Sequence, residues 1–438
     1  MKILYIHTFP ERRGRGGAEE TLWTLMCAMR DAGHQCVLLA TSAERGLTRS
    51  EQDGITVWKA GTRNLYWPDT RTRRRPPVRA LWHLLDSYNP WMQGYVREVV
   101  RAERPDVASL HNLPGWSAAT WGTLHRLGVP TVQVLHDYYP ICPRSTMFRN
   151  GRNCTGQCRS CAALRLPHRA LSRRVTAVVG VSRYALEAHR RLGYFEGVPI
   201  QRVIHNARAV GTLGCRKVVN TVPRAGVRFG YIGTLVASKG VSELIDSYLE
   251  AAIPNSELWV AGSGNPGYEH QLRDKAGGNI RIRFLGRVAP SSFYPDIDVL
   301  VVPSLWSEPL GMVVAEAFAF GKPIIGSTRG GIPEMIRDGE NGLLFDPDRP
   351  GELTSHLRRV AADPTMRRYM ADMARVSAQP FLDLVRFATA YEEVYRTAIL
   401  GSPRCQNVNL PEGLAPAASD ATPAVNEACV NDHGTRGK

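Results

Sequence analysis

The chain has 438 residues, of which 43% are hydrophobic and 22% charged, a balance that supports packed cores and excludes a wholly disordered protein. Lysine and arginine outnumber aspartate and glutamate by 55 to 40, and the resulting +15 favours phosphate-bearing or acidic partners: nucleotides, anionic lipid or nucleic acid. No apolar run reaches the length of about eighteen residues that a membrane-spanning helix needs, and a length prior of roughly 150 residues per domain points to two units.

The chain opens on MKILYIHTF, too short and too interrupted by His7 for a signal peptide. It reads as a first buried strand of a cytoplasmic protein. An amphipathic helix through EETLWTLMCAMRDAG follows, then the apolar runs HQCVLLAT, DVASLH, PTVQVLH and TAVVGVS. Strand and helix alternating with Gly or Pro punctuation means a parallel sheet covered by helices on both faces. Between the second and third runs, NLYWPDTRTRRRPPVRALWHLLDSYNPW gathers Arg71, Arg73, Arg74, Arg75 and Arg79 beside Trp67, Trp82 and Trp91. Aromatics beside cations suit an anionic membrane surface; a solvated loop and an ordinary helix explain them equally.

After a Gly-, Thr- and Val-rich interval the pattern restarts: VRFGYIG, the helix VSELIDSYLEAA, ELWVAGSG, IRIRFLGR, DVLVVPS, the helix MVVAEAFAFG, and KPIIGS. The expected architecture is α/β, two doubly wound Rossmann-like domains facing a central cleft. The boundaries expected are a first domain over 1–210, a linker over 211–226, a second domain over 227–380, a helix over 381–400 and a disordered tail over 401–438.

Three places carry candidate chemistry. In GYIGTLVASKG, Gly233 and Thr234 form a turn between strand and helix, with Lys239 at the helix entrance; such a turn offers backbone N–H groups and a cation to a phosphate, or serves chain reversal only. In SEPLGMVVAEAFAFGKPIIG, Glu308 precedes Pro309 and so lies in the loop before a helix, while Glu316 lies inside that helix about two turns on. Between them Leu310, Gly311 and Met312 form an exposed helix N-terminus. A diphosphate on that N-terminus, sugar hydroxyls on Glu308 and ribose hydroxyls on Glu316 would fit a nucleotide sugar. Helix capping by Glu308 and an ion pair between Glu316 and an arginine account for the same residues. In HDYYPICPRSTMFRNGRNCTGQCRSC, Cys142, Cys154, Cys158 and Cys161 could bind Zn²⁺ tetrahedrally and pin a long excursion; an iron–sulfur cluster and free thiols are the alternatives. The remaining cysteines are scattered, which argues against an extracellular disulfide framework.

The stretch EPLGMVVAEAFAFGKPIIGSTRGGIPEMIRDGENGLLFDPDRP closely resembles the nucleotide-binding end of the retaining glycosyltransferases of family four, which have the GT-B fold. The Glu, seven residues, Glu signature, the G-x-P strand, the GG-x-x-E turn and the NG-x-L strand follow in order. The resemblance implies a hexosyltransferase-like enzyme with a first, acceptor-side domain and a second, nucleotide-sugar-binding domain, and a last helix that crosses back. It implies that Glu308 contacts the donor sugar, Glu316 the ribose and Lys239 the diphosphate. Where relatives carry a GR-L turn this chain has GTL, so Thr234 supplies no charge and Lys239 bears more of the diphosphate. GRGGAEE matches the family's first Gly-rich loop, which places Gly16 and Gly17 beside donor phosphate or acceptor. His136 in VQVLHDYYP matches the family's active-site histidine. Asp137, His111 and Asn112 become cleft-lining groups.

The implied reaction is transfer of a sugar from a UDP- or GDP-linked donor to a polysaccharide or lipid-linked acceptor, with retention by front-face displacement and no catalytic metal. Contact with the inner membrane face is expected, and no nucleic-acid partner, since no nucleic-acid module is visible. A sugar-nucleotide epimerase of the same fold, or a basic nucleic-acid- or membrane-binding protein, is the alternative. A dinucleotide-dependent dehydrogenase needs G-x-G-x-x-G after its first strand, and RGRGGAEE departs from that spacing.

Overall fold

A computed structural model of the chain describes residues 1–10, 17–68, 74–209 and 226–401. Gly16, Arg71, Arg73, positions 211–225 of the expected linker and the tail beyond 401 lie outside the described residues.

The first half supplies β1 (Lys2–His7), β2 (Gln35–Ser42), β3 (Leu47–Gln52), β4 (Ile55–Gly61), β5 (Val107–Leu110), β6 (Thr131–Leu135), a short hairpin of β7 (Phe148–Arg149) and β8 (Arg152–Asn153), then β9 (Ala177–Gly180) and β10 (Ile200–Val203). Eight of them form one sheet in the order β10-β9-β6-β5-β1-β2-β4-β3. All its pairings are parallel except β3 with β4, an antiparallel edge turned at Asp53-Gly54. Sequence reading missed this hairpin although a DG pair between alternating residues is a hairpin signal. The central strands β5, β6 and β9 are buried along their whole length, as strands covered on both faces must be.

The second half repeats the theme with β11 (Val227–Ile232), β12 (Ser256–Ala261), β13 (Ile282–Gly286), β14 (Val299–Val302), β15 (Ile324–Ser327) and β16 (Gly342–Phe345). Their order is β13-β12-β11-β14-β15-β16, all parallel. Among the parallel strands of each sheet the order reverses between β1 and β5 and between β11 and β14. A crevice opens at the carboxyl ends of such strands, where ligands of open α/β sheets bind.

Three apolar clusters hold the molecule together. One lies on the outer face of each sheet, and the third runs between the halves, joining Ile3, Tyr5 and Val134 with Leu300, Val314 and Phe318. The helix Pro364–Leu382 stops at Asp383, whose carboxylate accepts from the Arg386 amide and caps a new helix, Leu384–Leu400. That last helix starts three residues later than expected. It packs on the helix Gly17–Asp31 and on β5, β6 and β10, and buries Phe387, Tyr391 and Tyr395 there. Among the described residues no helix is long and apolar enough to cross a membrane.

Candidate active site

In the second half, β11 runs into Gly233-Thr234, a one-turn helix Ala237–Lys239 and then the helix Val241–Ala251. Gly240, at φ +72°, joins the two, and a Cβ there would lie 1.9 Å from the Pro303 carbonyl oxygen. Only glycine permits that approach, and it sets Lys239 against the loop that follows β14. Lys239 Nζ donates to Glu308 Oε1 at 2.8 Å, and Ser304 Oγ donates to the same oxygen. Glu308 is buried while Lys239 keeps a quarter of its side-chain surface. Thr234 is exposed, and its carbonyl accepts from Tyr231 Oη.

The Glu308 backbone is held by the double-glycine turn: Gly331 N–H donates to the Glu308 carbonyl at 2.7 Å, and a Cβ on Gly330 would lie 2.0 Å from that oxygen. The following helix is Met312–Ala319, with Gly311 at φ +85° as its cap. Here the expectation of an exposed start needs correction. Leu310 and Gly311 are buried and only Met312 is half-buried, because Leu310 turns into the shared apolar cluster. Val314 N–H already donates to the Gly311 carbonyl at 2.9 Å, while the Met312 and Val313 amides precede the first bond of the helix and leave its partial positive charge there. Glu316 lies inside the helix, one turn past its start at Met312. Its Oε1 accepts from Arg208 Nε at 3.1 Å and its Oε2 from Tyr294 Oη at 3.2 Å. Arg208 also reaches Thr21 Oγ1 and the Gly17 carbonyl, tying the start of the helix Gly17–Asp31 to Glu316. The ion pair that sequence reading held as an alternative is therefore present.

In the first half, the carboxyl ends of β1, β5 and β6 bring together His7, His111 and His136. His111 Nδ1 and His136 Nε2 are 2.9 Å apart, and Ser109 Oγ lies 3.0 Å from His111 Nε2. His7 Nε2 lies 4.0 Å from Glu19 Oε1. Burial, with a smaller push from His7, drives the His136 ring down to about 3, and burial lifts Asp137 to about 6. These imidazoles are neutral near pH 7. Asp137 Oδ1 accepts from the Tyr139 amide at 2.8 Å, and Asn112 is half-buried at the end of β5.

The two halves meet through backbone groups. Tyr138, two residues beyond His136, donates its hydroxyl to the Ser307 carbonyl at 2.8 Å. Asn153 Nδ2 donates to the Leu305 carbonyl at 2.7 Å, and Asn153 Oδ1 accepts from the Ser307 amide at 2.8 Å. Glu334 of the GG-x-x-E turn accepts from the amides of Arg183 and Tyr184 at 2.8 and 2.7 Å, the open end of the helix Arg183–Arg190. A cavity of about 640 Å³ lies here, lined by Tyr138, Asn153, Tyr184, His205, Ser307 and Glu334 among others. Arg208, Asn153 and Ser109 gave no signal in the sequence, since their partners are remote along the chain.

Of the readings the sequence leaves open for the four cysteines, zinc, an iron–sulfur cluster or free thiols, the described residues show the last. Cys142, Cys154, Cys158 and Cys161 are free thiols, and among the described residues no group of three or more His, Cys, Asp or Glu could hold a metal ion. Cys142 is drawn into the apolar cluster while Cys158 stays exposed. Hydrogen bonds hold the excursion instead: the β7–β8 hairpin, Asn153 on the second half, and Gln157 Nε2 on Ile141 O and Tyr194 Oη.

The family model described as glycosyl transferases group 1 matches residues 220–377, and that of a glycosyl transferase 4-like domain matches residues 16–207. An uncharacterized 42.6 kDa protein in the cps region of Klebsiella pneumoniae is 24% identical over 337 residues, 77% of this chain and 88% of that protein. Several other relatives match over less than half of their own length. Sucrose-phosphate synthase from Thermosynechococcus elongatus superposes with a TM-score of 0.69 at 18% identity, over 90% of this chain and 98% of that one. HepE of Anabaena in complex with UDP-glucose superposes at 0.64 and 20%, over 91% and 100%.

Proposed function

Because the chain belongs to the group 1 glycosyl transferases of the GT-B fold, we propose that this glycosyltransferase moves a hexose from a nucleoside diphosphate sugar to a glycan or lipid-linked glycan with retention of configuration. The observation that carries this reading is the Lys239–Glu308 pair at the strand-order reversal of the second sheet, beside which Tyr138, two residues beyond His136, donates to the Ser307 carbonyl. A donor entering between Lys239 and Glu308 exchanges one strong pair for two. The diphosphate takes the Lys239 ammonium and the first-turn amides of the helix Met312–Ala319. The Glu308 carboxylate then accepts sugar hydroxyls, and Glu316, already oriented by Arg208 and Tyr294, accepts from the ribose. In front-face displacement the departing phosphate oxygen takes the acceptor proton. The protein's task is to position both substrates and to stabilise charge on the leaving diphosphate.

HepE, a structural neighbour, is known in complex with UDP-glucose, and the Klebsiella relative comes from a cps region; UDP sugars are therefore the first donors to try, GDP sugars the second, and a polysaccharide precursor the first acceptor. Contact with an anionic membrane forms part of the proposal. The helix Pro76–Ser87 and the segment after it expose Leu81, Leu84, Tyr88 and Trp91 beside Arg75 and Arg79.

The test is a thermal-shift screen of UDP-, GDP- and ADP-sugars, followed by NMR of the anomeric proton in the product. Stabilisation by one nucleotide class and a retained anomeric configuration are expected. No stabilisation by any of them, or an epimerised donor formed without acceptor, would overturn the reading.

A further inference from the structure

We propose that a hydrogen-bond chain from the last helix to the cleft, Tyr395–Ser109–His111–His136, fixes His136 as the tautomer protonated on Nδ1. Tyr395, Ser109 and His111 are then positioning residues, and His136 presents a hydrogen-bond donor to the substrate. The role of that donor rests on the reading of His136 as a contact to the donor sugar.

The distances are those of real hydrogen bonds throughout: 2.9 Å from Tyr395 Oη to Ser109 Oγ, 3.0 Å from Ser109 Oγ to His111 Nε2, and 2.9 Å from His111 Nδ1 to His136 Nε2. Tyr395 and Ser109 are wholly buried and His111 nearly so, whereas His136 keeps part of its surface open. The two imidazole planes lie within 26° of each other, and Tyr391 of the same last helix stacks on His111 with ring centres 6.4 Å apart.

Proton accounting sets the direction. Among the described residues Ser109 Oγ has two side-chain partners, Tyr395 and His111. Tyr395 donates to Ser109, so the single Ser109 hydrogen goes to His111 Nε2, and that nitrogen is bare. His111 therefore carries its proton on Nδ1 and donates it to His136 Nε2, which leaves the His136 proton on Nδ1. With Tyr395 donating, a proton on His111 Nε2 would make Ser109 accept twice and strand its hydrogen in a buried site. Burial holds both rings neutral, with His136 and then His7 adding to the effect on His111, so each ring has one proton to place.

Two consequences follow. His136 Nδ1–H can donate to a sugar or phosphate oxygen but cannot accept the acceptor's proton, which agrees with a mechanism in which the leaving phosphate does so. Docking of the last helix, which comes from the far end of the described chain, also becomes a condition for a correctly protonated site.

The tautomer is read from long-range ¹H–¹⁵N spectra of the full chain labelled at histidine, with the His136 signals assigned by their loss in His136→Gln. Protonated Nδ1 with bare Nε2 is expected at neutral pH; the opposite tautomer or an imidazolium ion overturns the proposal. His111→Phe keeps the stack on Tyr391 but removes the donor to Nε2. It should convert His136 to a mixture of tautomers and lower kcat about tenfold at saturating donor, the effect of one lost hydrogen bond. An unchanged His136 spectrum in a folded His111→Phe protein overturns it too. If His136→Gln transfers sugar like the unaltered protein, the donor-contact role falls, while the tautomer measurement still decides the chain.

Discussion

Replacing Lys239 by methionine tests the centre of the site, since the side chain keeps its length and loses its charge. Lys239 Nζ stands 2.8 Å from Glu308 Oε1, with 25% and 8% of the respective side chains exposed. A fully exposed pair would contribute about 0–1 kcal/mol, and stripping one partner from a fully buried pair costs about 3–5 kcal/mol. This pair is half-open on one side only, and Ser304 still donates to Glu308, so the expected loss of stability is about 2 kcal/mol, a few degrees in Tm. The effect on transfer should be larger. Removing a donor aimed at charge that develops in the transition state costs about 3–4 kcal/mol, or roughly a hundredfold to a thousandfold in kcat. The two effects separate in a double-mutant cycle with Glu308→Gln. Stability should be largely restored in the double variant, because no buried carboxylate is left unpaired, whereas kcat should not recover. Initial rates at saturating nucleotide sugar and calorimetric Tm for the four proteins give the cycle. If Lys239→Met kept kcat within about threefold while losing Tm, the pair would be purely structural and the diphosphate assignment wrong.

Glu316→Gln weakens its bonds to Arg208 and to the ribose together; KM for the donor should rise about tenfold with little change in kcat, measured from initial rates. An unaltered KM would move the ribose elsewhere. Gly330→Ala places a Cβ 2.0 Å from the Glu308 carbonyl oxygen at φ +65°, so a loss of more than about 2 kcal/mol is expected by denaturant titration, together with reduced donor binding. Burial pushes the Glu334 carboxyl up, but hydrogen bonds from His205 and from the Tyr184 and Arg183 amides outweigh it and hold it below its usual value of 4.5. A depressed carboxyl contributes stability that is present above 4.5 and lost as pH falls through the lower folded value. Thermal melts across that acid range should therefore be steeper in pH for the native protein than for Glu334→Gln; identical slopes would refute the contribution.

What the sequence determined by itself is local. Apolar runs with period-two or uninterrupted burial yield the parallel strands, and glycines and prolines mark the turns. The spacing of Glu308 and Glu316 around Pro309 puts one carboxylate before a helix and one within it. These follow from steric rules that act over a few residues, which is why the family could be identified from one stretch. The helix start at Leu310 was misjudged because whether a leucine turns inward depends on what packs opposite, and here that is the apolar cluster between the halves. The four cysteines left zinc, an iron–sulfur cluster and free thiols open because spacing along the chain says nothing of whether Cys142 will enter a core. The contacts that finish the site belong to tertiary structure alone. Arg208 meets Glu316 across 108 positions, Tyr138 meets Ser307 across 169 and Tyr395 meets Ser109 across 286. No periodicity links residues so far apart; each pair forms only because burying apolar faces brings two sheets and a returning helix together, and a buried polar group must then find whatever partner that packing supplies.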